Sequence, residues 1–150
     1  SGLIVHTAAA FNKKIIDIVH VEIFNELDRW VPFDTNYKRY NVQIAFLSDI
    51  HGNYPALKEV FKYLNKEKIT KIYCLGDYVN YYYQPQKCID LLIQNKAICI
   101  KGNHENIFFR SLRYPKIKKK MSERYGNSIY LNEKSLKKKH VDFLKSLLLD

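Results

Sequence analysis

Ile44-Ala45-Phe46-Leu47-Ser48-Asp49-Ile50-His51-Gly52-Asn53 is an apolar run that ends abruptly in a carboxylate, an imidazole and a glycine. It reads as a buried strand feeding a ligand site. Lys71-Ile72-Tyr73-Cys74-Leu75 runs in the same way into Gly76-Asp77, and Ala97-Ile98-Cys99-Ile100-Lys101 into Gly102-Asn103-His104-Glu105. Three buried strands, each closed by hard oxygen or nitrogen donors, thus converge on one edge of a sheet.

The segments between these strands carry helical spacing. From Tyr54 to Leu64 the apolar positions 57, 60, 61 and 64 share one helical face, and Pro55 stands in the first turn, where its missing N–H costs least. Lys87 to Gln94 reads as a second helix with Cys88, Leu91 and Leu92 inward. Strand, helix, strand, helix, strand with short connections predicts right-handed βαβ units and a mostly parallel α/β sheet. Ligands of such sheets bind at the carboxyl ends of the strands, where all three polar motifs fall. Beyond Glu105 the strand signal stops. Asn106 to Arg113 reads as helix, Pro115 breaks it, Lys116 to Arg124 is basic with few core residues, and Ser135 to Leu149 forms an amphipathic helix capped by Ser135. Upstream, a strand is expected over Lys14 to Val21 and a short helix over Glu22 to Trp30, ended by Pro32. His6 and His20 have no ligand spacing and read as structural residues.

With 150 residues and 47% hydrophobic content, the chain can bury one main core. We divide it into an N-terminal extension, 1–40, and a main domain, 41–150. The formal charge of +10 is uneven: from Asn106 onward there are twelve Lys and Arg against four Asp and Glu. That basic third is either a set of solvated helix faces or a surface for nucleic acid or another polyanion. Cys74, Cys88 and Cys99 form no C-x-x-C pair, two on strands and one on a helix, and read as reduced, buried thiols. No apolar run reaches the roughly 20 residues that span a bilayer, and no signal peptide opens the chain. A cytoplasmic protein with no membrane contact is expected. Because the chain opens at Ser1-Gly2 without Met, this is read as either an engineered start or a fragment rather than a native start.

What the clustered residues can do follows from their donor atoms. Asp49 and His51, two apart on an extended segment, can offer one oxygen and one nitrogen to a single cation. Asp77 has two carboxylate oxygens and can bridge two ions. Asn103 offers a neutral amide oxygen, while the adjacent His104 can point at a bound substrate. Mixed nitrogen and oxygen ligation without thiolate suits Mn²⁺, Fe or Zn²⁺. Two such ions about 3.5–4 Å apart clamp the attacking and leaving oxygens of an in-line displacement at phosphorus.

Asp49-Ile50-His51, Gly76-Asp77 and Gly102-Asn103-His104-Glu105, in this order, resemble the first three signature blocks of the calcineurin-like metallophosphoesterases. The Ser48–Asn53 opening and the stretch from Gly76-Asp77-Tyr78-Val79-Asn80-Tyr81 through Pro85 are similar to the small bacterial and archaeal phosphodiesterase subfamily. The resemblance runs from about Asn41 to Leu149 and implies the layered sheet of that family, present here as its N-terminal half. It implies two divalent metals, Mn²⁺ first, with Fe, Zn²⁺ or Ni²⁺ as alternatives. It places Asp49 and His51 on the first ion, Asp77 as the bridge and Asn103 on the second, with His104 on the phosphate assisting the leaving group. Asp77 and His104 are then the catalytic pair, and Glu105 orients His104 through a hydrogen bond. Asn53, Asn80, Tyr81, Tyr82 and His104 are expected to contact a phosphodiester or a small phosphorylated substrate.

Two departures qualify the resemblance. The family supplies a further His and a Gly-His-x-His block, whereas this chain has only His140 after Glu105, beside Lys137 to Lys139 and read as a surface residue. The second metal site is left with two ligands, so the alternative is a truncated, split or pseudoenzyme member with a binding role, or one completed by another chain or a second copy. In the loop after Asp77, Asn80 and Tyr82 stand where glycines are expected. The Tyr78, Tyr81, Tyr82 and Tyr83 cluster either stacks a base or leaving group or is ordinary packing. Finally, Ser1 to Ala10 followed by Lys14 to Ile18 loosely resembles the donor-sugar segment of heptosyltransferase-type glycosyltransferases, making the extension a possible remnant of such a domain.

Overall fold

A computed structural model describes residues 20–25 and 43–148. The sheet has four strands in the order β1-β2-β3-β4: β1, His20–Asn25; β2, Gln43–Ser48; β3, Lys71–Cys74; and β4, Ile98–Cys99. Helix α1, Tyr54–Lys66, links β2 to β3, and α2, Pro85–Gln94, links β3 to β4. Both connections join parallel neighbours, as the alternation of periods predicted. Four helices follow: α3, Asn103–Arg113; α4, Pro115–Tyr125; α5, Ser128–Ser135; and α6, Lys138–Ser146.

Parallel register decides which side chains share a face. Ala45 stands beside Ile72 and Leu47 beside Cys74, and all four are buried in one cluster with Leu57, Phe61 and Leu64 of α1 and Cys88, Ile89 and Leu92 of α2. On the opposite face Phe46 stacks on Tyr73 at 5.3 Å between ring centroids. Ile98, in register with Tyr73, is half exposed at the end of that row. The chain end returns to this edge: Lys101 N–H donates to the Leu148 carbonyl at 2.9 Å.

Four expectations are corrected. Residues from Glu22 to Asn25 form a strand, antiparallel to β2, where a helix was expected; alternation of Val21, Ile23 and the residues between them fits an edge pairing that a helical reading overlooks. The other expectations for the extension, including the glycosyltransferase resemblance, fall mainly on residues 1–19 and 26–42, outside the described residues. The expected helix from Ser135 is two: Ser135 ends α5, and α6 starts after Lys137. Pro115 does end α3, but it also opens α4 at the first helical position.

The fourth correction is His140, which is buried at 1% exposure. Its Nδ1 accepts from the Lys137 N–H at 3.0 Å, capping α6, so the proton sits on Nε2, which donates to Asp90 Oδ1 of α2 at 3.2 Å. His140 lies one turn before Leu144 on the same inward face. The lysines beside it drew the reading toward the surface; the helical phase decides otherwise.

Candidate metal centre

The three polar motifs meet where β2, β3 and β4 end. The chain leaves β2 through two left-handed residues, Asp49 at φ 56° and His51 at φ 47°, with fully buried Ile50 between them. That reversal turns both side chains toward one place: Asp49 Oδ1 lies 3.6 Å from His51 Nε2. Ser48 Oγ donates to the other Asp49 oxygen at 2.8 Å. The His51 ring is oriented from behind, its Nδ1–H donating to the Val79 carbonyl at 2.9 Å. The lone pair is therefore on Nε2, facing the carboxylates, the arrangement found behind metal-ligating imidazoles.

Gly76 and Asp77 make the second turn, at φ 106° and 59°. Gly76 packs against Gly102, where an added Cβ on Gly76 would meet Gly102 N at 2.4 Å. This close approach seats the Asp77 carboxylate at the start of α3, with Oδ1 accepting the His104 N–H at 2.8 Å. The Asn103 amide lies beside the same carboxylate, one of its terminal atoms 3.3 Å from Oδ1 and 3.0 Å from Oδ2. His51 N–H donates to the Asp77 carbonyl at 2.7 Å, locking the first motif to the second.

Donor atoms of His51, Asp77 and His104 lie within 4.8 Å of one another, and the two imidazoles meet edge to face with centroids 4.6 Å apart. The pre-oriented His51 nitrogen and the Asp77 oxygens suit a divalent cation, and His104 stands beside them within reach of what such a cation binds. The sequence reading had given His104 to substrate and Asp49 and Asn103 to metal. In the structure Asp49 and Asn103 are both exposed, Asp49 to 56% at its side chain, and Asn103 lies against the Asp77 carboxylate. Burial and the neighbouring His51 hold the His104 imidazole below its ordinary pKa, against the opposing pull of Asp77 and Asp49.

Glu105 is fully buried and supports the site through the backbone. Its carboxylate accepts from the N–H groups of Asp77 at 2.8 Å, Tyr78 at 2.7 Å, Val79 at 3.3 Å and Gly102 at 2.9 Å. These contacts, rather than the expected bond to the His104 ring, occupy its oxygens. Burial raises its pKa, opposed by the backbone donors from Asp77, Gly102 and Tyr78.

The remaining expected contact residues divide. Asn53 is buried and its Oδ1 accepts from Ala56 N–H at 3.3 Å, so it caps α1. Asn80 is buried against His104. Tyr81 packs its ring against both imidazoles, edge to face with His51 at 4.5 Å and tilted against His104 at 5.1 Å between centroids. Tyr82 enters through its backbone, its N–H near the His51 and Asn80 carbonyls at 3.0 and 2.8 Å. The left-handed residues of this loop are Asn80 and Tyr81, at φ 69° and 59°, so strain falls one residue earlier than the expected glycine at Tyr82.

Sequence reasoning missed Asn132. This fully buried residue of α5 accepts the Asn80 N–H at 3.1 Å and donates to the carbonyls of Tyr82 and Ser128. The available signal was a polar residue on the inward stripe shared by Ile129 and Leu136.

Residues 42–148 match the profile of the calcineurin-like phosphoesterases. The chain belongs to that family, whose members use divalent metals to hydrolyse phosphoesters. Among proteins it resembles, an uncharacterized protein of Methanocaldococcus jannaschii is 35% identical over 107 residues, 69% of this chain and 41% of that protein. A metallophosphoesterase from Sphaerobacter thermophilus, known from its crystal structure, superposes with a TM-score of 0.51 at 25% identity, over 68% of this chain and 39% of that one. The chain thus spans about two fifths of the length of these relatives. Among the described residues no helix is long and apolar enough to cross a membrane.

Proposed function

We propose that this chain carries the phosphoryl-binding part of a phosphoesterase acting on phosphodiesters or small phosphorylated compounds. The observation that carries the reading is the convergence of His51, Asp77 and His104 within 4.8 Å, together with the pre-set His51 ring. Asp49, His51 and Asp77 would hold a first cation, with Asp77 and Asn103 offered to a second, Mn²⁺ being the first choice for both. Bound divalent ions supply neutralisation of phosphoryl charge and activation of water at neutral pH. The protein's own part is to orient. Val79 fixes the His51 ring, Glu105 fixes the backbone that carries Asp77, and His104 faces the phosphoryl group. The ring of Tyr81, 37% exposed beside the two imidazoles, is placed to pack against the leaving group.

The test is hydrolysis of bis(p-nitrophenyl) phosphate with Mn²⁺, alongside Asp77→Asn. Turnover that needs both Mn²⁺ and Asp77 is expected; turnover that survives Asp77→Asn would sink the assignment. A second reading, a half-site that binds metal weakly and serves assembly, is favoured by the two-donor second site. It predicts a folded chain that is inactive until a further chain or segment supplies ligands. The exposed lysines of α4 and α6, including Lys116, Lys119, Lys120, Lys138 and Lys139, support polyanion contact. Binding to single-stranded nucleic acid that weakens steeply with salt is the result that contact requires.

A further inference from the structure

The structure assigns Asn80 as a positioning residue that holds His104 as the tautomer protonated on Nε2, with Asn132 of α5 holding Asn80 in turn. Asn80 Nδ2 lies 3.1 Å from His104 Nδ1 and 3.3 Å from the His104 carbonyl oxygen. The carbonyl can only accept, so the amide must present its nitrogen to this pair of atoms; the reversed amide would set oxygen against oxygen. An amide N–H has no lone pair to offer, so His104 Nδ1 must accept and the ring proton belongs to Nε2. The amide gives up a bond to do this: Asn80 Oδ1 is buried without a hydrogen-bond partner among the described residues.

The clamp is itself held. Asn80 sits at φ 69°, a conformation Asn tolerates better than most side chains. Its N–H donates to Asn132 Oδ1 at 3.1 Å, and Asn132 Nδ2 reaches the Tyr82 carbonyl at 3.4 Å, so both ends of the Asn80–Tyr82 turn are tied to one buried amide. Glycine, the residue expected at this position, satisfies the backbone angle but cannot make either contact with His104. A carboxylate there would do the reverse of what the amide does, drawing the proton to Nδ1.

For the phosphoesterase reading on which its functional meaning rests, the consequence is specific. His104 meets a phosphoryl or leaving-group oxygen as a neutral N–H donor and acts by hydrogen bonding. Asn80 touches neither substrate nor ion in this role; it sets the ring that does.

The experiment uses the whole chain, metal-free and 15N-labelled, at pH 8, reading the long-range 1H–15N correlations of the imidazoles. His104→Gln identifies the His104 pattern by its loss. The expected wild-type result is a protonated, pyrrole-type shift on Nε2 and an unprotonated, pyridine-type shift on Nδ1. In Asn80→Asp the proton is expected on Nδ1. A wild-type proton on Nδ1, or an unchanged pattern in a folded Asn80→Asp, would overturn the assignment. If Asn80→Asp does not fold, Asn80→Gly replaces it: shifts averaged between the two tautomers support the clamp, and a retained Nε2 proton overturns it. The measurement needs neither metal nor turnover, so inactivity toward the diester would defeat the phosphoesterase reading while leaving this one standing.

Discussion

Gly102→Ala isolates the contact on which the Asp77 carboxylate depends. Gly102 has extended backbone, φ −93° and ψ −179°, which alanine adopts freely, so any cost is one of space. An added Cβ would lie 2.3 Å from Asp77 Oδ1, 2.6 Å from Asp77 N and 3.0 Å from Asp77 Cγ. The carboxylate could swing aside; the backbone nitrogen cannot, because Asp77 N–H and Gly102 N–H both donate to Glu105 Oε2. Overpacking of this kind costs about 1–3 kcal/mol, and losing the His104 N–H to Asp77 bond adds roughly 1.5–3 kcal/mol. A total near ~4 kcal/mol corresponds to a fall in melting temperature of roughly 15 °C or more for a domain of this size. Thermal unfolding with and without Mn²⁺ reads both halves of the argument. Stabilisation by the ion at about a hundred times its Kd, roughly 2.7 kcal/mol, should be present in the wild type and largely lost in Gly102→Ala. Gly126→Ala is the control: nothing lies within 4 Å of its added Cβ, and its φ of 74° is the sole obstacle. With ψ at −170° the residue lies in a region essentially restricted to glycine, so the change should cost about 1–3 kcal/mol and leave the response to Mn²⁺ intact. Gly102→Ala melting within a few degrees of the wild type and keeping the full shift with Mn²⁺ would refute the reasoning.

Two further outcomes follow from buried polar contacts. Glu105→Gln keeps the side-chain shape but turns an N–H₂ group toward two of the four backbone donors, so urea unfolding should show a loss of about 2–4 kcal/mol; a change below about 0.5 kcal/mol would mean that those bonds contribute little. Asp90 is held below its ordinary pKa chiefly by the Lys139 ammonium at 2.5 Å and further by His140, with burial opposing. Its folded pKa lies below its unfolded one, so its contribution is present above the unfolded value of 3.8 and disappears as pH falls through the folded value. Asp90→Asn should therefore flatten the acid side of a melting-temperature profile taken from pH 7 to pH 3, more at low salt than at 0.5 M. Parallel profiles for the two proteins would contradict the clasp between α2 and α6.

The parts of the fold that could be read from residues are those with a strong local period. Positions 57, 61 and 64 of α1 carry the helical stripe on their own, and all three are buried. The parallel core was equally legible, because Ala45, Leu47, Ile72 and Cys74 are apolar in runs that have no other use. Legibility fails where a polar residue occupies an inward position. His140 and Asn132 are both buried, yet each stands among Lys, Glu or Asn neighbours that resemble a solvated face. Their burial is licensed by partners distant in sequence, Asp90 for one and Asn80 for the other, and no local pattern announces such a partner. At the site the residue types were evident, but their division of labour was not. Glu105 beside His104 suggested a contact between neighbours, whereas the turn into α3 aims the carboxylate back at residues 77–79 and leaves the ring to Asn80.

The same geometry explains why the strained residues are the polar ones. Asp49, His51, Asp77, Asn80 and Tyr81 all lie in the left-handed region, which for side chains of this size costs on the order of 1 kcal/mol or more each. Between and beside them sit Ile50, Tyr78 and Val79, all without exposed surface. The alternation is mechanical. A left-handed residue reverses the chain so that its own side chain faces outward from the strand end, and the apolar neighbour is driven into the core. Burying three such neighbours, at about 1.5–3 kcal/mol for each fully buried side chain, is comparable with the strain of the five reversals. The two oxygens of Glu105 then accept four backbone N–H groups that no strand or helix pairs. The site is thus held by its anchors rather than by contacts among its donor atoms, which leaves His51, Asp77 and His104 oriented before any ligand arrives.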